Sequence, residues 1–301
     1  MKTVVKMTAI ACIFALGLFG LVACGSSQAA SSSASAGGES ESAASAGESS
    51  ESVASTVSAG VAVKSSLDDY TWEELSKISA EIGASSDRDA VAKKYNLLNS
   101  KGQLDGTQIK KLENEDYGWE VALMGYDENG LAFIATTSWA EWDFGVYGYY
   151  GDSNGYSKSE IRKCLNDELL PLLPKDLSSV IKSVSKQNFS GTSCTDKLWI
   201  PSMAELGVNV DYENGKNEGP AYKLFEDAAS RGDSSVLLRT SDGEKATSWW
   251  TRSMKSKSKV PLKNSNDYQV KIGFVSSSGE IYDDFANAGH EMYGVVPCFY
   301  V

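Results

Sequence analysis

Residues 25–60 set the first limit on what this chain can fold into. They are almost wholly Ser, Ala, Gly, Glu, Gln and Val, with no aromatic residue and no Lys or Arg. Such a stretch cannot bury enough apolar surface to offset the entropy of ordering its backbone. A disordered tether is therefore expected over residues 24–64. Its r.m.s. reach is roughly 30–35 Å, and full extension approaches roughly 120 Å. Folding is expected only beyond it, in a length that suffices for one large core or for a small domain beside a medium one.

Residues 1–23 read as an export signal. Lys2 and Lys6 give a positive start, and an apolar run follows from Met7 through Phe19. That run is shorter than the roughly 20 apolar residues a transmembrane helix needs. Leu21-Val22-Ala23-Cys24, followed by Gly25, resembles the bacterial lipobox. The resemblance implies cleavage before Cys24 and a diacylglycerol thioether on its thiol. Two or more acyl chains hold a protein to a membrane stably. The expected address is a lipid-anchored position on the extracytoplasmic side of a cell membrane. An ordinary secretory signal with an incidental cysteine is the alternative.

Charge narrows the partners. The chain carries 28 Lys and Arg against 40 Asp and Glu, and loss of the signal removes Lys2 and Lys6, leaving 26 against 40, net −14. Nucleic-acid binding needs a basic footprint, so it is not expected. Attraction to anionic lipid is not expected either. The mature cysteines besides Cys24 are Cys164, Cys194 and Cys298. One disulfide with a free thiol, or three buried thiols, would satisfy them. None lies in a CxxC, so neither structural zinc nor a thioredoxin-like role is expected. No cofactor or metal is expected.

The folded region opens with a small helical segment over residues 65–112. Thr71-Trp72-Glu73-Glu74 is a capping box, and Trp72, Leu75, Ile78 and Ile82 share the face of a helix that Gly83 is expected to stop. Ser86 and Asp89 mark a second start, with Val91, Tyr95 and Leu98 as its stripe. Trp119–Tyr126 and Leu131–Thr137 then read as strands joined at Asp127-Glu128-Asn129-Gly130. A third helix is expected from a Ser157/Glu160 capping box, burying Ile161, Cys164, Leu165 and Leu169 and ending at Pro171 and Pro174. Lys197–Ser202 reads as a strand, Met203–Leu206 as a helical turn, Tyr222–Ala229 as a short helix and Trp249–Ser253 as a central strand. Tyr268–Ser276 is expected to pair with a run ending at Val295–Val301. Helices early and strands mostly later predict an α+β fold.

From Trp119 to Val301 the chain resembles an uncharacterised domain of bacterial surface lipoproteins. The motifs that carry the resemblance are Ile161-Arg162-Lys163-Cys164-Leu165-Asn166, the stretch Trp199–Glu205, Trp249-Trp250-Thr251-Arg252-Ser253, and Gly294-Val295-Val296-Pro297. Such domains look distantly like the C-type-lectin and formylglycine-generating-enzyme fold. The resemblance implies an irregular, loop-rich α+β body over residues 113–301. Two positions depart from the pattern: Cys164 stands where a bulky aromatic is usual, and Val296 where arginine is frequent. A formylglycine-generating activity would need a cysteine neighbour that Cys298 lacks. The Trp-Asn-Asp motif of calcium-dependent lectins is absent. Fold analogy therefore supplies no function.

The residues themselves point to binding. Ser138 to Tyr156 holds Trp139, Trp142, Phe144, Tyr147, Tyr149, Tyr150 and Tyr156, against 10% aromatic in the whole chain. Gly145, Gly148, Gly151 and Gly155 let the chain bend between them. Flat rings suit stacking on sugars or anchoring a protein partner; rings folded back into a loop-rich core are the alternative. Trp249 and Trp250 face opposite sides of a strand; core packing is the expectation for them, and Trp250, with Arg252, is the alternative candidate for a second binding face. Catalysis has thinner support. His290 is the single histidine, and no Gly-x-Ser-x-Gly elbow occurs. Asp283, Asp284, Glu280 and Glu291 cluster near the last loop, where paired carboxylates could serve glycoside hydrolysis or weak calcium binding, or form a solvated acidic loop. Arg231-Gly232-Asp233 matches an integrin tripeptide. The expected function is a non-enzymatic, membrane-anchored surface module that binds an extracellular glycan or protein. An envelope hydrolase using acidic residues and a structural envelope protein are the alternatives.

Overall fold

The computed structural model describes residues 60–113, 118–142, 144, 155–188, 192–208, 218–241, 243–254, 271–287 and 292–301, the backbone alone at 113, 118, 271 and 283–287. Its folded unit, Ser58–Val301, is α+β. The helices are α1 (Trp72–Ala84), α2 (Arg88–Lys94), α3 (Glu160–Lys163), α4 (Lys175–Val180) and α5 (Lys223–Arg231). The strands are β1 (Ile109–Glu113), β2 (Gly118–Asp127), β3 (Gly130–Ala135), β4 (Glu141–Trp142), β5 (Val184–Gln187), β6 (Ser193–Asp196), β7 (Trp249–Met254), β8 (Lys271–Val275), β9 (Ile281–Asn287), β10 (Tyr293–Gly294) and β11 (Cys298–Tyr300). They form a sheet ordered β1-β2-β3-β11, a second ordered β4-β10-β7-β8-β9, and the hairpin β5-β6.

The first sheet is built on α1. The Thr71 side chain accepts the Glu74 amide at 3.2 Å, and the Glu74 carboxylate accepts the Thr71 amide at 2.7 Å. This reciprocal cap satisfies two amides that the helix start leaves open. Trp72, Leu75, Ile78 and Ile82 then turn inward and are buried. The Trp72 ring meets Phe133 of β3 and Phe299 of β11, and these two are cross-strand partners stacked at 5.5 Å. Gly83 does not stop α1, which continues to Ala84. A Cβ at Gly83 would lie 2.8 Å from the Glu128 carbonyl. The glycine instead lets the β2–β3 turn pass close to the helix. α2 starts one residue later than a Ser86 cap would place it, with Asp87 accepting the Ala90 amide at 2.9 Å. The expected helical segment 65–112 also supplies β1, whose Ile109 pairs with Ala122.

Three further expectations are corrected. The third helix is capped by Ser159, which accepts the Arg162 amide, while Gly155–Lys158 forms a 3-10 turn around the buried Tyr156. From Cys164 the helix widens to a π-type turn and tightens again at Leu170–Leu172 around Pro171. Lys197–Ser202 makes a single bridge, Trp199 to Cys298, in place of a strand. The last run leaves the expected partner altogether. β8 pairs with β7 and with β9 around Ser278-Gly279, whereas β11 crosses to β3 in the first sheet. Gly294, in the motif before that crossing, sits where a Cβ would lie 2.7 Å from the Ser138 hydroxyl. No helix among the described residues is long and apolar enough to cross a membrane.

Candidate functional site

The titratable groups concentrate in a sealed cluster beneath β7. Arg252 is 1% exposed and Glu205 is 2% exposed. The Arg252 guanidinium donates to a Glu205 carboxylate oxygen and to the carbonyls of Ile200, Gln187 and Glu218. Glu205 also accepts the Ser202 amide at 3.0 Å and the Lys186 ammonium at 3.2 Å. Lys186 donates to the Tyr222 hydroxyl and lies over the rings of Trp199, Tyr300 and Tyr222, at 4.4, 5.1 and 5.2 Å from their centroids. The Tyr222 and Tyr300 hydroxyls are 3.1 Å apart, and Tyr300 donates to Asp127 at the end of β2. One hydrogen-bonded chain thus links the two sheets.

Burial raises the free energy of every charge in this cluster. It alone would push the Glu205 carboxyl up, but Arg252 and then Lys186 hold it below the usual range. Burial would likewise lower Arg252, and Glu205 raises it instead. Burial pushes up the hydroxyls of Tyr222 and Tyr300 and the Cys298 thiol. Trp250 and Arg252, candidates for a second binding face, are closed by this packing, as the core reading of the strand expects. Trp249 and Trp250 are both 0% exposed, one to each side of the strand. Lys186, Glu205, Tyr222 and Tyr300 escaped the sequence reading. Their one signal is the glutamate in the motif that starts at Trp199.

The motif around Arg162 has a different task. Arg162 binds the Asp196 carboxylate through Nε and Nη2, at 2.8–3.0 Å. Asn166 donates to the carbonyls of Arg162 and Leu198 and accepts the amides of Lys197 and Leu198. Both side chains pin the helix to the chain leaving β6. Outside them opens a polar cavity of about 290 Å³ lined by Ser157, Ser159, Glu160, Arg162, Asn166 and Asp196, among others.

The ring-rich segment divides. Phe144 and Tyr156 are 0% exposed. Phe144 meets Trp250 edge-on at 5.6 Å and Tyr156 at 6.5 Å. These two rings fasten the segment into the core at residues 144 and 156. Trp139 and Trp142 are half-buried. Trp139 lines a shallow apolar groove with Trp119, Leu112, Leu169 and Leu172, and Leu172 is 51% exposed. Tyr147, Tyr149 and Tyr150 lie outside the described residues, as does Cys24.

A second set of rings runs straight across the five-stranded sheet. Trp142 on β4 pairs with Tyr293 on β10, Trp250 on β7 pairs with Phe274 on β8, and Phe274 pairs with Tyr282 on β9. Tyr293 bridges the halves, 4.7 Å from both Trp250 and Phe274. Phe274 and Tyr282 are nearly parallel, at 5.2 Å and 6°. Paired residues share a sheet face, so these five rings form one row. Trp250 closes it inside, Tyr293 and Phe274 are half-buried, and Tyr282 is 41% exposed.

The remaining candidates are placed as follows. Arg231 ends α5, pairs with Asp233 at 3.7 Å and donates to the Leu104 carbonyl, so the tripeptide is a folded helix end. Asp283 and Asp284 belong to β9, and Glu280 accepts the Tyr282 hydroxyl at 2.9 Å. His290 and Glu291 lie outside the described residues. Cys164, Cys194 and Cys298 are buried free thiols.

Residues 145–301 match the model of a family described as a domain of unknown function, DUF6273, and the four motif segments all fall inside the match. No curated protein and no solved structure matches the chain.

Proposed function

We propose that this chain, which belongs to the DUF6273 family, is a lipid-anchored surface protein whose folded part binds an extracellular ligand without transforming it. Cys24 carries the lipid, and the acidic segment after it holds the domain clear of the membrane. The observation that carries the binding reading is the placement of Trp139. This half-buried ring lines a small, shallow apolar hollow of about 20 Å³ with Trp119 and Leu172, at the start of the ring-rich segment. Further along the segment, Phe144 and Tyr156 are packed into the core, and Trp139 itself is packed against it. Pre-organised aromatics bind at low entropic cost. The strongly perturbed groups Glu205, Arg252, Tyr222 and Cys298 all sit in the sealed core. They support a strut between the sheets rather than chemistry on a ligand.

The test has two arms. Wild-type cells should place the protein in the membrane fraction with incorporated radiolabelled palmitate, and Cys24→Ser should abolish both. Detergent-solubilised full-length protein on arrays of glycans and surface proteins should bind at least one ligand. Trp139→Ala with Trp142→Ala should weaken that binding by about tenfold, as loss of stacking rings implies. Absence of binding, or binding indifferent to both changes, would favour a structural envelope protein.

A further inference from the structure

The ring row across the five-stranded sheet has no part in the sealed cluster and does not line the Trp139 groove. Its geometry is set by the backbone. Each ring stands on a different strand, and the three partly open rings Tyr293, Phe274 and Tyr282 follow one another at 4.7 and 5.2 Å between centroids, with Trp250 closed beside them. Packing of Tyr293 on Trp250 and Phe274, and of Phe274 on Tyr282, removes rotamer freedom before any ligand arrives. The row opens progressively toward β9 and ends on Tyr282, whose hydroxyl is fixed by Glu280. β9 is the edge of its sheet among the described residues, and Tyr282 on it is 41% exposed.

We infer that this row is a binding strip for an uncharged oligosaccharide chain, with one sugar ring stacked on Tyr282 and its neighbours laid over the edges of Phe274 and Tyr293. The inference deepens the binding reading above and rests on it. Three observations select this occupant. The strip is one residue wide, and rings of this kind bury about 150–250 Å² each when wholly covered. Partly open rings therefore offer less than the roughly 800 Å² per partner of a standard protein interface. A linear sugar chain needs only such a strip. Charge excludes acidic polymers: the chain carries net −12, and Glu280 stands at the open end. The chemistry also matches. The C–H face of a sugar is weakly positive and stacks on the negative face of an aromatic ring, while the Tyr282 hydroxyl and Glu280 carboxylate can exchange hydrogen bonds with sugar hydroxyls.

Affinity electrophoresis of the full-length protein, in a polyoxyethylene detergent, tests this with gels containing laminarin, a soluble β-mannan or hyaluronan. A neutral polysaccharide should retard the wild type and hyaluronan should not. Tyr282→Ala should weaken retardation by about tenfold, and Tyr282→Phe should keep most of it. Tyr282 is exposed, so both variants should keep the wild-type thermal midpoint. Retardation that survives Tyr282→Ala but falls with Trp139→Ala alone, a residue of the groove and not of the row, would overturn the strip and keep the binding reading. Capture of a protein ligand with no neutral polysaccharide bound would do the same. Retardation by hyaluronan alone would overturn it, as would a dimer in sedimentation that Tyr282→Ala dissolves, because the row would then be a self-contact.

Discussion

The two sheets solve the same packing problem with different chemistry. The sheet β1-β2-β3-β11 is closed by apolar matter: Trp72 and Leu75 from α1 against Phe133 and Phe299. The sheet around β7 buries Arg252, Glu205 and Ser253 beside Trp249 and Trp250. Apolar contacts are non-directional and tolerate substitutes of similar volume. A buried ion pair gives little net stability, yet breaking it leaves an uncompensated charge in a medium that solvates it poorly. The first sheet is thus stabilised by quantity of burial. The second depends on every partner being present.

The largest expected effect follows from that dependence. Arg252→Ala leaves Glu205 sealed with only Lys186 as a cation and should cost about 3–5 kcal/mol in urea unfolding. The double change Arg252→Met with Glu205→Leu removes both charges and should be less damaging than the single one. If the double change is as harmful as the two singles added together, the pair is not a coupled unit.

Next in size is a pH effect confined to the second sheet. Glu205 is held below its ordinary 4.5 in the folded state. A depressed carboxyl contributes stability that is fully present above the unfolded value and is lost as pH falls through the folded value. The stability gap between wild type and Glu205→Gln should therefore be constant from pH 7 to about 5 and narrow below pH 4.5. Phe133→Leu, in the apolar sheet, should show a pH-independent gap over the same range. A Glu205→Gln gap that stays flat to pH 3 would mean that the carboxyl is not stabilised by its neighbours.

The same contrast explains what could be read from the sequence. Thr71, Glu74 and the Trp72–Ile82 stripe are local signals, separated by three or four residues, and α1 forms where they place it. Ser157 and Ser159 each precede a helix-forming run, and only the burial of Tyr156 in a 3-10 turn selects Ser159. β11 finds β3 rather than β8, because pairing across the chain depends on which sheet needs an edge covered, which no local pattern records. The ring row is legible only in register: Trp142, Trp250, Phe274, Tyr282 and Tyr293 are scattered along the sequence and meet through four strand pairings. Trp250 and Arg252 were legible as a choice between core and an open face, and the structure takes the core, because alternation along one strand says nothing about what covers either face.

The smallest expected effect is the sharpest test of the comparison. Arg239 is a second buried arginine on the side of β7, 5% exposed. Its guanidinium donates to the carbonyls of Val236 and Leu238 and lies 5.4 Å over the Trp249 ring. Among the described residues no carboxylate pairs with it, and its Nε finds no acceptor. Burial accordingly lowers it to about 10. Where Arg252 repays its burial through Glu205, Arg239 has only dipoles and a ring, and a cation over an aromatic contributes about 0.5–2 kcal/mol. Arg239→Met keeps most of the volume, removes the charge and should change unfolding free energy by less than about 1 kcal/mol. A loss near that of Arg252→Ala would show that an unpaired buried arginine is as indispensable as a paired one. The second sheet would then be specified by its cations, and not by their pairing.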